Sequence, residues 1–179
     1  MKPWRLPRLA SYAITFAVFQ AAWFACVESA AHGVPAWGVA AVAAVVLAHV
    51  ALAPRRVAEL MLVAACLGVG FAWDGLMIQD QWIVYRSPGP LPSLAPAWIL
   101  ALWALFATTL SGPLRALQSR PAWSALLGAV GGPLSYLAAQ RLGACALAPG
   151  SEPVLALGWG VLTPALLALA RRLQSGPAR

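Results

Sequence analysis

Few side chains in this sequence carry chemistry beyond apolar packing, and their positions narrow what that chemistry is. Glu28, His32, Asp74, Tyr136, Gln140 and Arg141 stand near the ends of long apolar runs, and Gln20 lies deeper within the first run. Ordered by depth, the first six fall toward one side of a bilayer, so they are expected to line one polar cluster or ligand cavity together with Gln20. A charge close to hydrocarbon is costly unless paired. Asp74 or Glu28 is therefore expected to meet Arg141, the competing expectation being that each charge reaches headgroup water from a helix end. Gln20, Phe24 and Glu28 recur every fourth residue, which places them on one helical face expected to look into the protein.

Glu28 and His32 would grip a metal ion on a continuous helix, but no further ligand stands at a fixed spacing, so no metal and no cofactor are expected. His49 lies near the opposite end of the second run and is expected to be a packed, hydrogen-bonded histidine. It is too far from Glu28 and Asp74 for a hydrolytic dyad, or from His32 for bis-histidine haem ligation. Ser135 is expected to satisfy backbone near Pro133 rather than to act as a nucleophile. No catalytic residue is assigned. Cys26, Cys66 and Cys145 show neither metal nor paired spacing and are expected to be packing thiols.

The elements that position these groups are set by composition. Of 179 residues, 61% are hydrophobic and 9% charged, against about 25% charged in an ordinary soluble domain. The expected fold is all-α: a polytopic bundle of six transmembrane helices forming one domain, with spans at about 9–27, 36–53, 57–78, 97–111, 122–141 and 154–170. Lys2, Arg5 and Arg8 before the first run resemble a signal peptide in outline. That run is about 19 residues long, whereas signal cores take about 7–15, so the segment is expected to be a retained span. Between residues 79 and 96, Pro88, Pro90, Pro92 and Pro96 with Gly89 exclude a continuous helix. Residues 81–85 there read as a short strand or an interfacial segment.

Packing signals concentrate in the fifth run. Gly128, Gly132, Ser135 and Ala139 fall on one helical side, a seam that admits a close neighbour. Pro133 removes a backbone donor and crowds the Ala129 carbonyl, so this helix is expected to bend inside the bundle and to be the one around which the others pack. Pro164, one turn after Gly160, predicts a second kink. Ala13, Ala17, Ala21 and Ala25 make a further smooth surface on the first helix. Of nine tryptophans, Trp4, Trp37, Trp82, Trp98, Trp123 and Trp159 fall near expected interfaces, as does Tyr85.

Charge sets orientation. Ten of the twelve Lys and Arg lie on one side, leaving Arg86 and Arg141 on the other; Glu28, Asp74, Asp80 and Glu152 are distributed oppositely, with Glu59 alone on the basic side. The positive-inside rule then makes both termini cytoplasmic and the number of spans even, in a multi-pass membrane protein. Topology thus accounts for the net charge of +7, and nucleic acid is excluded as a partner. No phosphate-loop or dinucleotide motif is present, and no internal repeat.

Residues Trp23 to Val27 (WFACV), Trp103 to Leu110 (WALFATTL), Gly131 to Tyr136 (GGPLSY) and Arg141 to Ala144 (RLGA) resemble an uncharacterised bacterial inner-membrane family, a domain of unknown function, over essentially the whole chain. That resemblance implies no reaction and no catalytic residue; the company its members keep with fatty-acid-modifying enzymes implies a lipid-related role. The expected function is a non-catalytic membrane protein that binds a lipid or small apolar molecule or assists membrane-lipid enzymes, with the bilayer and a membrane protein as partners. The alternatives are a transporter or the substrate-binding membrane subunit of an uptake system, and an intramembrane enzyme using Glu28 or Asp74.

Overall fold

The computed structural model describes residues 8–175, with side chains from residue 12 onward; Lys2, Trp4, Arg5 and Arg179 lie outside the described residues. Six α-helices are present: α1 (Arg8–Ala31), α2 (Pro35–Leu52), α3 (Arg56–Gln79), α4 (Ala97–Leu110), α5 (Pro121–Arg141) and α6 (Ser151–Ser175). All but α4 are long and apolar enough to cross a membrane. Proline opens α2 and α5, where its missing donor would be unsatisfied in any case and its fixed φ suits the first turn. The reversal between α1 and α2 is made at Gly33, whose φ of +76° favours glycine.

Between helices run two short strands, β1 (Ile83–Tyr85) and β2 (Cys145–Leu147), paired antiparallel with Tyr85 opposite Cys145 and Ile83 opposite Leu147. Alternation does the work: Ile83 and Tyr85 are buried while Val84 faces out. The expectation of a strand within 81–85 thus has a partner in the α5–α6 connection. The proline-rich loop that follows is tied down, since Ser87 Oγ donates to the Ala30 carbonyl (2.7 Å) and the Trp98 indole donates to the Ser87 carbonyl (3.0 Å).

The helix at the centre is α4, not α5. Nine of the fourteen residues of α4 are buried, and it packs against α1, α2, α3 and α6, whereas the extensive helical contact of α5 is with α6 alone. The reason is the distribution of bulk. α4 is apolar around its whole circumference, which suits enclosure by protein. α5 carries Leu126, Val130 and Leu134 on an exposed face opposite its glycines. At fourteen residues α4 is only about 21 Å long, shorter than a ~30 Å hydrocarbon core.

The glycine seam of α5 does receive a neighbour. A Cβ on Gly128 would collide with the Trp159 carbonyl and the Thr163 side chain, and one on Gly132 with the Trp159 ring. The same device recurs where Gly70 admits Trp103, Gly158 admits Trp73, and Gly38 admits the α1 backbone at Cys26. Tryptophans therefore serve as large wedges between helices, each opposed by a residue without a side chain.

Candidate functional site

Asp74 is completely buried in α3, where it is the centre of a polar node. Its Oδ1 accepts from the hydroxyls of Tyr85 (2.5 Å) and Tyr136 (2.8 Å), and its Oδ2 accepts from the Trp103 indole (2.6 Å). One carboxyl thereby joins α3, β1, α4 and α5. Gly70, one turn earlier on α3, supplies the space for the Trp103 ring. That ring stacks on Trp159 with centroids 4.7 Å apart and planes 12° apart, and Phe106 and Tyr136 meet Trp159 edge-on, an arrangement favoured by the ring quadrupoles.

Burial, with the Asp74 carboxylate adding to it, pushes the Tyr85 hydroxyl well above the ordinary phenol range, so it remains a proton donor. The same two causes, burial first, push the Cys145 thiol up to about 12. Cys26, Cys66 and Cys145 are all buried and unpaired, and the high value at Cys145 leaves almost no reactive thiolate at neutral pH.

Beside the node lies a groove of about 450 Å³, bounded by α1, α4, α5 and α6. Nine aromatic rings contribute to its lining: Phe16, Phe19, Trp23, Tyr85, Trp98, Trp103, Phe106, Tyr136 and Trp159. α1 and α5 flank it without forming a packed interface. It follows α1 from Phe16 to Val27 and α5 from Leu127 to Ala139, a run of about 17 Å at ~1.5 Å per residue. Polar atoms are few. Gln20 and Ser135 stand at its sides, and the buried Thr163 hydroxyl on its wall has no hydrogen-bond partner among the described residues. The arrangement is built for apolar contact along its length with very few orienting groups.

Of the residues singled out by sequence, the structure brings together Asp74 and Tyr136 and separates the others. Arg141 is exposed and makes no ion pair among the described residues; neutral donors fill the Asp74 oxygens instead. Five residues past Tyr136, Arg141 is turned about 140° around α5 and leaves the node. Asp74 does not reach water from its helix end either, being fully enclosed. Glu28 is half-exposed beside His32, 3.6 Å away, and no group of three His, Cys, Asp or Glu converges among the described residues. Gln140 is exposed and accepts the Leu147 amide (2.7 Å), holding β2.

The face of α1 carrying Gln20, Phe24 and Glu28 is not the interior one, because the closely packed side is formed by Ala22, Cys26, Val27 and Ala30. Small residues allow nearer approach, and they win the inward position. Gln20 is exposed and borders the groove, as does half-buried Ser135, which makes no hydrogen bond among the described residues and so does not relieve Pro133.

Sequence reasoning missed Tyr85, Trp98, Trp103 and Trp159 as interior groups. Tyr85 is 5% exposed and Trp98 1%, so both side chains turn into the protein. Trp159 is wedged against Gly132. For Trp103 and Trp159 the available signal was the pairing of the ring with a glycine on another helix, Gly70 and Gly132, which depends on knowing which helices touch. Trp37 and Trp123, by contrast, are largely exposed at helix starts.

A second polar node forms at the other end of α3. Glu59, 6% exposed, accepts from His49 Nε2 (3.1 Å), Ser111 Oγ (2.9 Å) and Gln174 Nε2 (3.4 Å). The ends of α2, α4 and α6 therefore meet the start of α3. His49 is hydrogen-bonded, as its position implied, but to an acid that sequence reading left alone on its side.

Residues 12–165 match a family described as "Protein of unknown function (DUF2878)". No curated protein matches, and no solved structure matches.

Proposed function

The chain belongs to this family of unknown function, DUF2878, and on that premise we propose that it is a non-catalytic integral protein of a bacterial inner membrane whose groove holds a lipid acyl chain or a similar apolar molecule. The observation that carries this reading is the groove itself, about 450 Å³ and walled by nine aromatic rings between α1 and α5. Its length of about 17 Å is close to half of a ~30 Å hydrocarbon core, the depth that one acyl chain occupies in one leaflet. Such a protein would present a membrane lipid to enzymes that modify it. The exterior supports a hydrocarbon surround: Leu47, Leu52, Leu157 and Val161 are each more than two-thirds exposed, a surface unsuited to water. Asp74 contributes rigidity to the groove floor, its oxygens being occupied by the floor's own donors.

Gly131 provides the test. It borders the groove, and a side chain added there meets nothing within 4 Å. Gly131→Leu is expected to occupy the groove while leaving the fold intact, since its Cβ meets nothing within 4 Å. In native mass spectrometry of protein purified in mild detergent, the wild type is expected to carry a co-purified lipid mass that the variant lacks, at equal thermal stability. Identical bare masses for both would refute the reading.

A second reading, a substrate-binding subunit that meets a membrane partner, rests on α1. Ala13, Ala17, Ala21 and Ala25 are all exposed, leaving a smooth stripe uncovered by the chain's own helices. Under this reading, Ala17→Leu with Ala21→Leu abolishes recovery of a complex from membranes while leaving the isolated chain folded.

A further inference from the structure

A second cavity, of about 820 Å³, lies at the Glu59 end and shares no lining residue with the aromatic groove. Its two parts differ in chemistry. One is an apolar lane between α1 and α2, formed by Ile14, Val18, Ala44, Val45 and Ala48; the other is a polar mouth that includes His49, Arg55, Glu59, Ser111 and Arg115. From Ala44 to Leu52 the lane follows α2 for about 12 Å at ~1.5 Å per residue.

The charges at the mouth are unequal. Glu59 is the one acid lining the cavity among the described residues, and both of its oxygens are held in the wall by His49, Ser111 and Gln174. Arg55 donates from one nitrogen to the Gln174 carbonyl, which leaves most of its five donors available. Arg115, in the 3-10 turn Arg115–Leu117, is exposed and has no ion-pair partner among the described residues. Two guanidinium groups against one sequestered carboxylate leave the mouth cationic whether or not His49 is protonated. Guanidinium forks match the oxygens of a phosphate bidentately, better than a point charge does. An apolar lane joined to a phosphate-matching mouth has the polarity of an amphiphile.

We propose that this cavity binds a phosphate-bearing amphiphile, a phospholipid from the leaflet at the Glu59 end, with its phosphate at Arg55 and Arg115 and a chain along α1 and α2. Inorganic phosphate shares the headgroup chemistry and lacks the chain. Diacylglycerol shares the chain and lacks the phosphate.

The full chain in detergent is titrated with dioctanoyl phosphatidylglycerol, with dioctanoylglycerol and with inorganic phosphate, reading thermal stability and retention in native mass spectrometry. In the Gly131→Leu background, which closes the aromatic groove to acyl chains, stabilisation by the phospholipid alone is the expected result. Arg115→Gln is expected to weaken it at least tenfold, with Arg115→Lys intermediate. Ala48→Phe, which blocks the exposed side of the lane, is expected to weaken it from the other end. The phosphate-dependent part of the binding is expected to survive Gly131→Leu, in the aromatic groove, so failure here and failure of the groove reading are separable. In that background, equal stabilisation by dioctanoylglycerol removes the phosphate from the assignment and overturns it. Equal stabilisation by inorganic phosphate makes the ligand a free anion and overturns the lipid. Undiminished phospholipid binding in both Arg115→Gln and Ala48→Phe places the lipid elsewhere and overturns the site.

Discussion

Asp74 illustrates how a carboxyl is kept inside a protein with no cation paired to it among the described residues. Two phenolic hydroxyls and an indole converge on it from β1, α5 and α4, and hydrogen bonding of this kind offsets part of the desolvation cost of burial. Tyr85 and Tyr136 donate to the same oxygen, so each is expected to cover partly for loss of the other. Tyr136→Phe and Tyr85→Phe should each cost about 1–2 kcal/mol, and the double variant more than their sum. Thermal unfolding in detergent measures this; an unshifted transition in the double variant would show that the node does not hold the fold together. At this scale sequence reading found Asp74 and Tyr136 but not their connection. An apolar flank gave no sign that Tyr85 would turn inward, because its direction is set by pairing with β2, only three residues long.

Between elements, contact is made by glycines receiving aromatic wedges. Gly132 faces the Trp159 ring, while its neighbour Gly131 faces open space. These two adjacent positions should therefore respond oppositely to one methyl group. Gly132→Ala is expected to cost about 1–3 kcal/mol by forcing α5 from α6. Gly131→Ala is expected to be neutral or to stabilise by up to about 1 kcal/mol through helix propensity. Matching melting temperatures for the two variants would show that the α5–α6 seam is looser than its geometry. The seam at Gly128 and Gly132 was legible because helical periodicity alone puts both on one side. What it packs against was not, since nothing in α5 distinguishes Trp159 on α6 from any other ring.

For the molecule as a whole, His49, Glu59, Ser111 and Gln174 meet at one end, which brings together the chain segments that carry Arg55, Arg56, Arg115, Arg171 and Arg172. We expect this end to be cytoplasmic by the positive-inside rule. A green fluorescent protein fused after Arg179 should then fluoresce, and alkaline phosphatase inserted in the exposed loop near Pro90 should be active; the reverse pattern would invert the orientation. The count of helices follows from the sequence by itself, because six apolar runs are set apart by proline, glycine and charged residues, and each run closes its own backbone hydrogen bonds as a helix. Which helix is central was decided only by tertiary structure. Enclosure of the short α4, the inward turn of its tryptophans and the gap left between α1 and α5 depend on how bulk and absence of bulk match across helices distant in sequence, and no single helix carries that information.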